Sequence, residues 1–98
     1  MGYHLEKIPK GILGEFSKIE EELSEYRDAK EQDSKIMMAV ELADLYGAIR
    51  AYKSTHNEYI LEITSFMLDE AKKLGLTSYD LVVFANITAR AFKDGTRG

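Results

Sequence analysis

Residues 36–49 hold only apolar, small or aromatic side chains apart from Glu41 and Asp44, and this stretch limits the fold more than any other feature. Its middle is apolar nearly all the way round, the pattern of a helix that other helices must enclose. It falls short of the roughly 20 apolar residues that span a bilayer, and no other run comes closer. The rest of the chain supplies the enclosing partners. There is one proline, Pro9, and no stretch of strict apolar/polar alternation. The expected fold is all-α, a four-helix, bundle-like domain.

Punctuation places the helices. Residues 1–11 read as an irregular lead-in, and the first helix is expected over about 12–30. Phe16, Ile19, Leu23 and Tyr26 step by three, four and three, which is one face of a helix. Asp33 or Ser34 can cap a second helix over about 35–54. Asn57 is a fair cap for a third, over about 58–74, whose inward stripe is Ile60, Ile63, Met67, Ala71 and Leu74. Gly75 stands where a left-handed residue ends a helix. Thr77 and Asp80 have the spacing of a capping box opening a fourth helix over about 78–93. Its expected inner face is Leu81, Phe84, Ala85, Thr88, Ala91 and Phe92, and Gly95 marks its end.

A 98-residue chain corresponds to one domain. It buries only about 60–65% of the surface it exposes unfolded, so its core is thin and self-association into a dimer or tetramer is expected. The net charge is −4, and no basic block offers duplex nucleic acid a surface, since such affinity comes from neutralised phosphates. The absence of cysteine excludes disulfides, thiolate zinc sites and cysteine nucleophiles. Residues 1–10 lack the apolar core of a signal peptide. A cytoplasmic protein with no membrane partner is expected.

The acids carry the chemical signal. Glu41 and Asp44 lie three apart, on one side of the central helix. Burying two carboxylates side by side without a counter-charge is unfavourable through desolvation and mutual repulsion, so a cation is required. The first helix supplies further acid: Glu20, Glu21, Glu22 and Glu25. At about 100° per residue, Glu22 and Glu25 flank the apolar stripe at the seam, Glu21 points further out and Glu20 lies to the other flank. Two acid pairs facing each other suit Mg²⁺ or Mn²⁺, which prefer hard oxygen ligands. A Glu-rich turn is by itself usually a solvated face. Ion pairs to Lys18, Arg27, Lys30, Lys35 or Arg50 are the structural alternative to a metal.

Glu21-Glu22-Leu23-Ser24-Glu25 followed by Glu41-Leu42-Ala43-Asp44 resembles the E-E-x-x-E … E-x-x-D signature of the MazG-like, all-α nucleoside-triphosphate pyrophosphatases. The resemblance covers the first two helices closely. It extends loosely to the fourth, where residues 86–95 resemble the family's closing Asn/Arg/Lys-containing stretch; the third helix offers no match. It implies Mg²⁺-dependent hydrolysis of an NTP or dNTP between the α and β phosphates, giving a monophosphate and pyrophosphate. Carried over, Glu22, Glu25, Glu41 and Asp44 are metal ligands, with Glu22 also in the catalytic set. Glu21 supports the ligands or orients the attacking water. The family works as dimers or larger oligomers.

Asn86, Arg90 and Lys93 form a stripe at i, i+4 and i+7; it is ordinarily a solvated face, and under the resemblance it binds the substrate's phosphates. Arg97 is a weaker candidate. His4 and His56 lie outside the helices and are incidental, and Tyr46, Tyr52 and Phe84 are core aromatics more readily than base-stacking ones. No G-x-x-x-x-G-K phosphate loop is present. The same site could serve phosphoribosyl-ATP or an alarmone such as ppGpp, and a non-catalytic helical interaction module is the alternative of another class.

Overall fold

A computed structural model describes residues 7–52 and 58–93, with side chains of the last helix to Arg90. Among these residues are four helices and no strand: α1 (Phe16–Glu31), α2 (Lys35–Ala51), α3 (Glu58–Lys73) and α4 (Ser78–Lys93). α2 packs against each of the other three, the central place its apolar sequence demands. Leu42, Ala43, Leu45 and Ala48 are buried from its middle turns, and Ile19, Tyr26, Met67, Ala71 and Leu81 meet them from the other helices. Burial of that stretch is incomplete: Met37, Ala39, Val40, Tyr46, Gly47 and Ile49 are half-buried, and Ile36, in the first turn of α2, is 80% exposed. No helix among the described residues is long and apolar enough to cross a membrane.

α1 begins at Phe16, not near residue 12, and glycine is the reason. The Glu15 amide donates to the Ile12 carbonyl at 2.9 Å, closing a turn in which Gly14 takes a φ of 95°. That left-handed conformation cannot continue into a right-handed helix and suits glycine alone at low cost. The lead-in then folds along the start of α1. The Gly11 amide donates to Glu21 Oε1 at 2.9 Å, and the Ile12 amide donates to Ser17 Oγ at 3.0 Å. Gly11 lies so close to α1 that a Cβ there would run into the backbone of Ser17 and Lys18.

The remaining boundaries follow the sequence signals except the end of α2, which falls at Ala51 and not near residue 54. Asp33 takes the left-handed turn after α1, with a φ of 55°, and leaves Ser34 to cap α2 by accepting from the Met37 amide. α2 stops at Ala51, since Tyr52 is extended. The expected cap Asn57, both histidines and Gly95 lie outside the described residues. After α3, Gly75 has a φ of 79° and the Leu76 amide donates back to the Ala71 carbonyl at 2.9 Å, satisfying the helix end. The Thr77 amide donates to Asp80 Oδ2 at 2.8 Å and the Asp80 amide returns the bond to Thr77 Oγ1 at 3.1 Å. The inner line of α4 runs through Leu81 and Ala85, which leaves Phe84 on the exposed shoulder, not on the inner face.

Two buried acids escaped the sequence reading, Asp28 near the end of α1 and Glu70. Glu70 on α3 continues the Ile63/Met67 stripe and is buried, yet it is fully provided for. Lys30 donates to Oε1, Tyr26 Oη donates to the same oxygen at 2.7 Å, and Lys73 donates to Oε2 at 2.9 Å. These bonds tie α1 to α3 and hold the Glu70 carboxyl at about 2, below its ordinary 4.5.

Two outcomes are expected. Gly11→Ala lowers stability in urea denaturation by about 1–3 kcal/mol through overpacking, whereas Leu13→Ala, at an exposed site, changes it by less than about 0.5 kcal/mol. A folded pKa below the unfolded one means that Glu70 stabilises fully above pH 4.5 and loses that effect as pH falls toward 2. Glu70→Gln therefore flattens the acid side of the stability profile and lowers stability at neutral pH.

Candidate metal centre

Five carboxylates converge where the first half of α1 crosses the middle of α2. Helical spacing puts Glu21, Glu22 and Glu25 on adjacent positions of α1 and stacks Glu41 with Asp44 on α2. Oxygens of Glu22, Glu41 and Asp44 all lie within 4.8 Å of one another, and so do oxygens of Glu21, Glu22 and Glu25. Glu22 belongs to both groups and joins the two helices' acids into one cluster. Glu21 and Glu22 are each 4% exposed and Glu41 is 2% exposed, while Glu25 and Asp44 are half-buried.

The α1 side contains a counter-charge. Lys18 Nζ lies 3.0 Å from Glu21 Oε1 and 3.0 Å from Glu22 Oε1, and Lys10 Nζ lies 3.6 Å from Glu21 Oε2. The expectation that Glu21 points outward is corrected: the lead-in covers it, bringing the Gly11 amide and Lys10 onto its two oxygens. Of the lysines and arginines weighed as ion-pair partners, Lys18 meets acids of the cluster, one turn before both glutamates. Burial works against a charged Glu21, but the Gly11 amide and Lys18 outweigh it and hold the carboxyl below its usual range. Burial also works against a charged Lys18, and its bonds to Glu22 and Glu21 outweigh that, raising its pKa.

The α2 side is different. Glu22 Oε2 and Glu41 Oε2 are buried with no hydrogen-bond partner. Glu41 is pushed strongly upward first by burial, then by its hydrogen bond with Glu25 and by the charges of Glu25, Asp44 and Glu22. Glu22 is pushed upward by burial first and then by the charges of Glu25 and Asp44, against the pull of Lys18. Glu70 shows how this same fold treats a carboxylate buried for structure alone: each oxygen has a donor. Leaving a buried acceptor unmet costs about 1–3 kcal/mol, and more when it is charged.

The donor set fits a hard divalent cation. All the ligating atoms are carboxylate oxygens, two are buried and unmet, and the cluster carries the negative charge such an ion neutralises. Glu22, Glu25, Glu41 and Asp44 are the residues that would hold it. The α4 stripe lies elsewhere in the described contacts. Asn86 and Arg90 are exposed, and the Lys93 side chain lies outside the described residues. Asn86 Oδ1 accepts from Arg50 Nη2 at 3.3 Å, and Arg50 also stands over the Tyr46 ring at 5.7 Å. Arg50 follows Asp44 by six residues, about 9 Å further along α2, so this cationic group flanks the carboxylates without entering them.

Metal-free stability has a definite pH dependence. For Glu22 and Glu41 the folded pKa lies above the ordinary 4.5, so the fold holds protons that the unfolded chain releases. Stability is then greatest below pH 4.5 from these groups and declines as pH rises through neutrality. In EDTA, Glu41→Gln is expected to raise stability at pH 7.5 by roughly 1–3 kcal/mol, since each pKa unit corresponds to about 1.4 kcal/mol. Thermal melts of both proteins between pH 5 and 8 measure this, and a less stable variant would make Glu41 a structural acid.

No family model, curated protein or solved structure matches this chain.

Proposed function

We propose that this protein is a Mg²⁺-dependent nucleoside-triphosphate pyrophosphohydrolase of the MazG-like type, cleaving an NTP or dNTP between the α and β phosphates. The observation that carries this reading is the pair of buried, unmet oxygens on Glu22 and Glu41, within a carboxylate cluster bearing the E-E-x-x-E … E-x-x-D spacing. A structural ion-pair network would have met those oxygens, as it does for Glu70.

Glu22, Glu25, Glu41 and Asp44 would hold a divalent ion at the α1/α2 seam. The chemistry such an ion would supply there is neutralisation of phosphate charge and activation of the attacking water. Glu21, anchored by the Gly11 amide, helps to hold Lys18, whose ammonium also meets Glu22 Oε1. Water adds to the α-phosphorus, the bond to the α–β bridging oxygen breaks and pyrophosphate departs, with the water's proton passing to a carboxylate of the cluster. Asn86, which accepts from Arg50, together with Arg90 and Lys93 further along α4, would supply the polar and cationic groups for the remaining phosphates. Tyr59 and Leu61 on α3, with Tyr79 and Ile87 on α4, are exposed apolar side chains consistent with a homodimer or homotetramer.

Release of pyrophosphate from a panel of NTPs and dNTPs, with phosphoribosyl-ATP and ppGpp included, tests the reaction. Turnover is expected with Mg²⁺ and none in EDTA. Glu41→Gln is expected to lose at least about 100-fold, since even residues supporting a metal ligand are worth about 10–100-fold. A folded, Mg²⁺-loaded protein that turns over none of these substrates would refute the enzymatic reading.

A further inference from the structure

We propose that Lys18 is the resident cation of the Glu21/Glu22/Glu25 group, so that the cluster takes a single divalent ion, on its α2 side. This rests on the metal centre proposed above and sets its occupancy. The cluster comprises two groups of three carboxylates that share Glu22, and each has the spacing to hold an ion. They are not equivalent. The Lys18 ammonium lies 3.0 Å from one oxygen of Glu21 and 3.0 Å from one of Glu22, and its side chain is only 27% exposed. The unmet oxygens belong to Glu22 and Glu41, not to Glu21.

Glu22 is therefore divided between two cations: Oε1 faces Lys18, and Oε2 is the oxygen left for the ion. The lysine is held by its place on the helix, three residues before Glu21 and four before Glu22, where i,i+3 and i,i+4 pairs meet. Glu21 is occupied from its other sides by the Gly11 amide and Lys10. A divalent ion in the α1 group would have to displace the ammonium or stand beside it, and two like charges a few ångströms apart repel strongly in a partly buried site. The lysine thus does in the α1 group what a second metal would otherwise do, and it fixes the rotamer of the one carboxylate common to both groups.

Mn²⁺ titration followed by loss of the free-ion electron paramagnetic resonance signal, with calorimetry in parallel, counts ions per chain without reference to activity. Wild type is expected to bind one Mn²⁺, Lys18→Arg one, and Lys18→Met two. Lys18→Gln, which retains an N–H donor without the charge, is expected to bind two and serves if Lys18→Met does not fold by circular dichroism. Glu41→Gln is expected to lose the single ion of wild type. Wild type binding two ions would overturn the proposal, as would folded Lys18→Met or Lys18→Gln still binding one. In either case the metal centre itself would stand. Wild type binding none would overturn the metal centre and this proposal with it.

Discussion

The seam between α1 and α2 places carboxylates against one another in a volume from which water is largely excluded, and the rest of the fold is organised around that arrangement. α2 can occupy the centre of the bundle only because it is apolar on nearly every side. The same centrality forces Glu41 inward and holds Asp44 half-buried beside it. Across the seam, Ile19 and Tyr26 dock α1 through the stripe whose flank carries Glu22 and Glu25. The packing that stabilises the two helices is therefore the packing that assembles the acids. Exchanging either pair for apolar residues would leave a more ordinary helix contact.

The contrast between Glu70 and Glu41 gives that arrangement its meaning. Both are buried glutamates in the same small domain, one on α3 and one on α2. Glu70 receives Tyr26, Lys30 and Lys73 and is held far below the ordinary carboxylate range. Glu41 has an unmet oxygen and is driven upward by burial and by the neighbouring acids Glu25, Asp44 and Glu22. This fold satisfies one buried carboxylate completely and leaves an oxygen of another unmet, and that contrast is what supports the metal site we propose. Strongly perturbed groups cluster at functional sites for this reason.

Between these extremes stands the lead-in. Gly14 turns the chain, Gly11 presses it against the first turns of α1, and the Gly11 amide with Lys10 closes over Glu21. Lys18 then bridges Glu21 to Glu22. A segment without regular structure thereby defines the outer wall of the carboxylate cluster, and the inner wall is α2.

The sequence by itself determined the helices and most of their ends. Their signals are local: steps of three and four for α1 and α3, Ser34 and the Thr77/Asp80 pair as caps, and Gly75 as a stop. It also determined that Glu22, Glu25, Glu41 and Asp44 would meet, because they lie on the faces that two apolar stripes press together. Only the tertiary structure decided which acids were already neutralised. Whether Glu21 is outward or covered depends on a lead-in folded by two glycines, and that Glu70 is buried at no penalty depends on donors from α1, about 40 residues away in the chain. Helix periodicity reports the direction of a side chain relative to its own axis. The partner waiting there is set by contacts between segments, which no local pattern encodes.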